Sequence, residues 1–328
     1  MGRFEQRYGA VDRFQQRHAW LGLPLALLQK YSDDQGAYLA ATITYYGFFA
    51  IFPLLLVLTT ALGFLLPGHH DLERSVVDSA LSQFPVIGPE LRGGLLRGSA
   101  LALSIGVVVA LWSGMSVFLA AQNAMNQLWG VPFKRRPDPV RARVRALVLL
   151  LLLGGATIAT TILAGLSTVG DKLGPLRAIG ILSLSTSLNV GIFWIGFRVL
   201  TAREVSLRQL RGGAIAAGVL YTALQSMGAF YVGHVLHRAT NTYGTFALVI
   251  GLLSWIYLAT VITLLAAEAN VVTARGLWPR SFSAVIEQPP TSADMRALTQ
   301  RGRVEERRQD ETVDIGFSDP NNEERSSH

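Results

Sequence analysis

Residues 40–66 read AATITYYGFFAIFPLLLVLTTALGFLL, twenty-seven positions without one charge. About 20 consecutive apolar residues in a helix cross the hydrocarbon core of a bilayer. A helix is also one of the few structures that satisfies its own backbone there. Five further apolar segments follow, so the chain reads as an all-α integral membrane protein. The six spans are predicted at about 38–66, 100–128, 146–168, 178–200, 212–236 and 244–273. The fourth is rich in hydroxyls (Ser183, Ser185, Thr186, Ser187) and holds Asn189, which predicts a helix enclosed by the bundle.

Composition agrees with a membrane solvent. Half of the 328 residues are hydrophobic, and 16% are charged against about 25% in soluble domains. Mean hydropathy is +0.36. The chain has no cysteine, which excludes a disulfide framework and any Cys-ligated metal. Residues 1–37 are too polar for a cleaved signal peptide, and the first apolar stretch is long enough to stay as an anchor.

Charge sets the orientation. With the N-terminus in the cytoplasm, the inner segments before the tail hold fifteen Lys and Arg and the outer loops six, with eight more in the tail. That is a positive-inside bias with both termini cytoplasmic. The net charge of +7 then needs no nucleic-acid partner, because juxtamembrane arginines face anionic headgroups.

Residues 1–37 are expected to lie as cytoplasmic interfacial helices, with Phe4, Tyr8, Val11 and Phe14 near one face. The six-span domain occupies 38–275. Its outer loop, 67–98, reads as two short amphipathic helices, with Leu72, Val76, Ala80 and Phe84 at helical spacing before Pro85. His69-His70-Asp71 reads as a solvated turn, and His234 with His237 as an interfacial pair, since a metal site needs further ligands. The tail, 276–328, has few apolar residues and alternating charge, and is expected to be disordered.

Three stretches carry a family resemblance: Ala40 to Leu54; Trp112-Ser113-Gly114 with Ala121-Gln122-Asn123-Ala124-Met125-Asn126; and Tyr243-Gly244-Thr245 through Leu253-Ser254-Trp255-Ile256-Tyr257-Leu258 to Glu268-Ala269-Asn270. Together they resemble the YihY/BrkB family of bacterial inner-membrane proteins over about residues 1–275. The resemblance implies the same six-span layout and an inner-membrane location. The family usually has glycine where this chain has Ala267, a small-for-small change. Some members carry a ribonuclease label and others a virulence-factor label.

Polar side chains inside spans are costly and face a bundle or an aqueous cavity. Thr42, Tyr45, Tyr46 and Phe49 share one face near the cytoplasmic end of the first span. Pro53, one turn on, frees a carbonyl and predicts a bend. Asn123 and Asn126 lie near the cytoplasmic end of the second span. Glu268 and Asn270 lie at the same level of the sixth, with Tyr257 three turns before Glu268 on its face. Glu268 is the only acid in any predicted span. These residues predict a cytoplasm-facing polar pocket of Tyr45, Tyr46, Asn123, Asn126, Tyr257 and Glu268, rimmed by Arg135, Arg136 and Arg141. Glu268 would serve there as a proton or cation site.

That pocket points to moving or delivering a lipid or other amphipathic envelope molecule. A small-solute transporter or channel is the alternative, and a scaffold without transport the third reading. Membrane lipids are the expected partners, with other envelope proteins or self-association as further ones. No cofactor or metal motif is present, and an enzyme is not expected. Ribonuclease chemistry needs converging carboxylates and histidines around an ion, whereas the acids here are scattered.

Overall fold

The computed structural model describes residues 18–65, 100–166, 174–202, 205–231, 245–281 and 291–317. The described residues are helical, without a strand. In chain order the helices are α1 (Ala19–Asp33), α2 (Gly36–Leu65), α3 (Ala100–Leu128), α4 (Pro139–Leu166), α5 (Gly174–Leu200), α6 (Leu207–Tyr231), α7 (Thr245–Arg275) and α8 (Ser292–Val304), with one 3₁₀ turn at Phe133–Arg135.

Helices occupy all six predicted segments. Four stretches are long and apolar enough to cross a bilayer: Gly36–Leu54, Ser104–Leu128, Leu182–Leu200 and Val249–Arg275. They keep much of their apolar surface outside. Trp112 is 71% exposed, Val108 67% and Ile250 60%. In water such a surface would drive association, whereas lipid tails solvate it. The described parts of α4 and α6 carry no window of that length and hydropathy. Both helices hold arginines near their N-terminal ends, Arg141, Arg143 and Arg145 in α4 and Arg208 and Arg211 in α6, ahead of the uncharged stretches 146–166 and 212–231.

α7 is the central post and packs against α1, α2, α3 and α6, while α5 packs against α6, α4 and α3. The main core gathers Trp129, Phe197, Leu210 and Leu264, and a second cluster joins Ile51, Leu224, Leu252 and Trp255. α2 runs as helix through Pro53.

Three expectations change. The hydroxyl-rich α5 is not enclosed by the bundle, for Leu182 and Leu184 are 52% and 59% exposed. Two of its hydroxyls bond back into their own helix, Thr186 to the Leu182 carbonyl and Ser187 to that of Ser183, which satisfies these donors without a neighbouring helix. Asn189 is the exception and reaches Thr222 of α6 at 3.0 Å. Second, the apolar piece from Trp20 to Leu28, which reads in sequence as a short segment interrupted at Pro24, is part of one full helix, α1, which runs through Pro24 to Asp33. Third, residues 291–317 of the tail fold against the bundle instead of lying free. The predicted N-terminal helix at 2–18 and the amphipathic outer loop at 67–98 fall outside the described residues.

Candidate functional site

Glu268 sits on α7 with no exposed surface, and neither carboxyl oxygen has a hydrogen-bond partner. Its Oε2 faces Lys30 Nζ of α1 at 3.5 Å. Lys30 is itself 3% exposed; it donates to the Asp34 carboxylate and, at 3.1 Å, to the Leu128 carbonyl. Asp34 caps the C-terminus of α1, where Gln127 of α3 also donates to its carbonyl at 2.8 Å. The site therefore joins α1, α3 and α7 and holds two carboxyls against one ammonium. Tyr31 completes it: its buried hydroxyl has no partner. Burial, reinforced by Tyr257 and Glu268 nearby, pushes that hydroxyl up to about 12.

The structure divides the predicted pocket. Glu268 is at the centre of the buried site, and Tyr257, 37% exposed, lies three turns before it on α7. Asn126 is buried but serves the fold: its Oδ1 accepts from the Ala202 amide at 2.9 Å and holds the end of α3 to the end of α5. Asn270 does the same between α7 and α6, accepting from the Gly213 amide at 2.7 Å. Asn123 lies on the surface and accepts from Arg136 at 2.6 Å, whose guanidinium stacks 4.0 Å over the Phe133 ring. Tyr45 and Tyr46 are 59% and 40% exposed and form an edge-to-face aromatic ladder with Phe49 on the outside of α2. Arg141 pairs only loosely with Asp138, 3.5 Å away on the surface. The single open pocket expected from these residues is thus corrected to a closed ion site and an exposed aromatic face. Side chains of one depth pointed to different neighbours once the helices packed.

Sequence reasoning missed Lys30, Tyr31 and Asp34. The signal was there, an oppositely charged pair at i and i+4 just before the first apolar run.

A second feature lies where α3, α5 and α7 end together. Arg275 donates to the Trp129 carbonyl, and its guanidinium lies 5.8 Å over that ring. α8 folds back over this end. A cavity of about 860 Å³ lies between α8 and the 130–135 loop. Arg135, Arg275, Arg296 and Arg303 line it. Gly130, at φ +57°, lets the chain turn directly beneath Gln300, whose side chain a Cβ would meet at 2.5 Å.

A network of ion pairs and caps docks α8. Thr291 and Asp294 form a reciprocal cap, with Thr291 Oγ1 accepting from the Asp294 amide and the carboxylate accepting from the Thr291 amide at 3.0 Å. The same carboxylate takes Arg280 Nε at 2.9 Å and the Ser281 hydroxyl at 2.8 Å, and Arg280 continues to Asp33 of α1 at 2.7 Å. Lys134 and Glu306 pair at 2.9 Å. Burial pushes the Asp294 carboxyl up, but hydrogen bonds from Thr291, Arg280 and Ser281 outweigh it and hold it below the ordinary aspartate value. Its contribution is complete above that ordinary value and is lost as pH falls through the lower folded value. Asp294→Asn is expected to weaken docking by about 1.5–3 kcal/mol at neutral pH, and acid should do the same to the unaltered chain. Amide exchange of 291–304 at pH 7 and near pH 3 checks both, and unchanged protection in Asp294→Asn would refute it.

The family model described as Virulence factor BrkB matches residues 27–282. The chain belongs to the BrkB family. Among curated BrkB relatives, a UPF0761 membrane protein of Pseudomonas aeruginosa strain LESB58 is 28% identical over 77% of this chain and 63% of its own length. A UPF0761 membrane protein of Chromohalobacter salexigens is 27% identical over 74% of this chain and 60% of its own length. A Bacillus subtilis protein named Putative ribonuclease-like protein YfkH is 25% identical over 75% of this chain and 93% of its own length. The chain spans about three-fifths of the length of the UPF0761 relatives. No solved structure matches it. The BrkB match takes in the ion site from Lys30 to Glu268 and stops before α8, so one wall of the arginine cavity lies beyond it.

Proposed function

We propose that this BrkB-family membrane protein spans the bacterial inner membrane six times, with both termini cytoplasmic, and moves or helps deliver a lipid or other amphipathic envelope molecule. The observation that carries the reading is Glu268, wholly buried in an apolar helix with neither oxygen hydrogen-bonded. Fold stability does not need such a group, since a buried carboxylate with one 3.5 Å ion pair and no hydrogen bond costs free energy that a glutamine or leucine would not. Groups of this kind inside membrane helices mark ion and substrate paths. Two carboxyls around one ammonium leave one negative charge, which a proton arriving or leaving would switch.

Other observations support the layout and the substrate class. α3, α5 and α7 end side by side through the Asn126–Ala202 and Arg275–Trp129 contacts, as in-out alternation of six spans requires. The exposed Tyr45, Tyr46 and Phe49 of α2 and Tyr257 of α7 give an amphipathic molecule an aromatic surface where α2 crosses α7, with Gly47 against Ile256. Other acids of the described residues are tied to basic groups, Asp33 and Asp294 sharing Arg280 and Glu306 taking Lys134. That is an arrangement for holding helices, not for cutting a phosphodiester, so we read the chain as a non-enzyme.

A scaffold role is the second reading, favoured by the use of Asn126 and Asn270 as ties between helices. Proteoliposomes with headgroup-labelled phospholipid separate the two. Transfer of label by the unaltered protein, slowed about tenfold or more in a folded Glu268→Gln variant, is the expected result. No transfer by the unaltered protein points to the scaffold, and transfer indifferent to Glu268 removes the site from the mechanism.

A further inference from the structure

We infer that the cleft between the 130–135 loop, the end of α7 and α8 is a binding site for an organic phosphate. The inference rests on the tail of this chain and does not depend on transport. Arg135, Arg275, Arg296 and Arg303 line one cavity of about 860 Å³, and no acid is among its described lining residues. Among the described residues, then, four guanidinium charges face one space and repel one another, and an anion between them relieves that. Guanidinium forks match phosphate oxygens in pairs, which a point-like ammonium does not.

Two of the four have an internal duty. Arg275 donates to the Trp129 carbonyl, and Arg296 to the Gly276 carbonyl at 2.7 Å. A guanidinium carries five N–H donors, so a single carbonyl bond occupies only part of it. Arg135 is exposed, and Arg303, 55% exposed, forms a loose 3.8 Å ion pair with the 81% exposed Asp314. A surface pair that loose yields to a stronger anion.

The size of the space and its apolar walls define the rest of the ligand. Inorganic phosphate would fill a small part of about 860 Å³, a volume in the range of small-molecule sites. Val131, Pro132, Leu277 and Met295 supply apolar wall. The ligand is therefore a phosphate or diphosphate on an organic body, which a phospholipid headgroup or a soluble phosphorylated metabolite would each present.

The test uses the full chain in phosphatidylcholine nanodiscs, with inorganic pyrophosphate as probe and calorimetry as readout. Saturable binding is expected, weakened tenfold or more in Arg135→Gln/Arg303→Gln and falling as salt rises. Both positions are exposed, and amide exchange of α8 reports whether docking survives. Arg135→Gln alone, which lies off α8, should still weaken binding severalfold. Repeating the titration with phosphatidic acid as about a fifth of the lipid identifies the source. Suppressed pyrophosphate binding assigns the site to a lipid headgroup, and undiminished binding to a soluble phosphate, both in keeping with the inference. Absence of saturable binding, or equal binding by the folded double variant, overturns it.

Discussion

Lys30→Met is expected to destabilise the folded protein by about 3–5 kcal/mol, the range for breaking a buried ion pair by removing one partner. The reason is the count of charges. Lys30 Nζ is the ammonium that Asp34 and Glu268 share, and all three groups are 6% exposed or less. Its loss also leaves the Leu128 carbonyl with only the longer 3.4 Å bond from Gln300, which loosens α1 from the end of α3. For a bundle of this size the loss corresponds to roughly 10 °C of melting temperature, readable from tryptophan fluorescence in detergent. Lys30→Arg, which keeps the charge, should lose far less. Adding Glu268→Gln to Lys30→Met should restore part of the stability, because the second change removes a carboxylate that has lost its counter-charge. Equal melting of Lys30→Met and the unaltered protein would show that the site does not hold these groups in ionised form.

The helical spans were legible because an apolar run of bilayer length has few other structural solutions. Glu268 stood out for the same reason, as a lone acid in such a run. Its partners did not, because Lys30 lies 238 positions earlier in the chain and only the packing of α1 on α7 brings them together. Sharing a depth was not enough to make a pocket. Asn123 and Asn126 are one helical turn apart, yet one meets Arg136 on the surface and the other the Ala202 amide in the core.

The tail shows the opposite failure. Composition argued for disorder, whereas a local signal argued for a helix: Thr291-Ser292-Ala293-Asp294 is a capping box. The apolar area of α8 is small, with Ala293, Ala297 and Val304 buried. Docking relies instead on Asp294, Arg280 and Asp33, three charges whose mutual approach no composition average can register. The same segment brings Arg296 and Arg303 opposite Arg135 and Arg275, so the misread tail is also what closes the cleft.

Gly213→Ala is expected to cost about 3 kcal/mol or more, while Gly212→Ala, one residue earlier on the same helix, should be neutral or stabilising. At Gly213 an added Cβ would lie 2.0 Å from the Ala266 carbonyl oxygen and 2.5 Å from Asn270 Nδ2. The first is backbone and cannot turn aside, so α6 must move off α7. Overpacking of this kind costs about 1–3 kcal/mol. The Gly213 amide also gives up its 2.7 Å bond to Asn270 Oδ1, a buried bond worth about 1 kcal/mol net and more when the acceptor is left unpaired. At Gly212 the nearest atom is Asn270 Oδ1 at 4.0 Å, ordinary contact. There the substitution recovers the helix propensity that glycine forfeits, up to about 1 kcal/mol. The pair thus compares two glycines with the same helical environment and opposite steric ones, and melting of the two variants reads the difference directly. Equal behaviour would mean that α6 and α7 do not cross this closely. The expected split makes the Gly213–Asn270 crossing the clamp that holds α7 in place two residues beyond Glu268, so that the buried carboxylate meets Lys30 and not lipid.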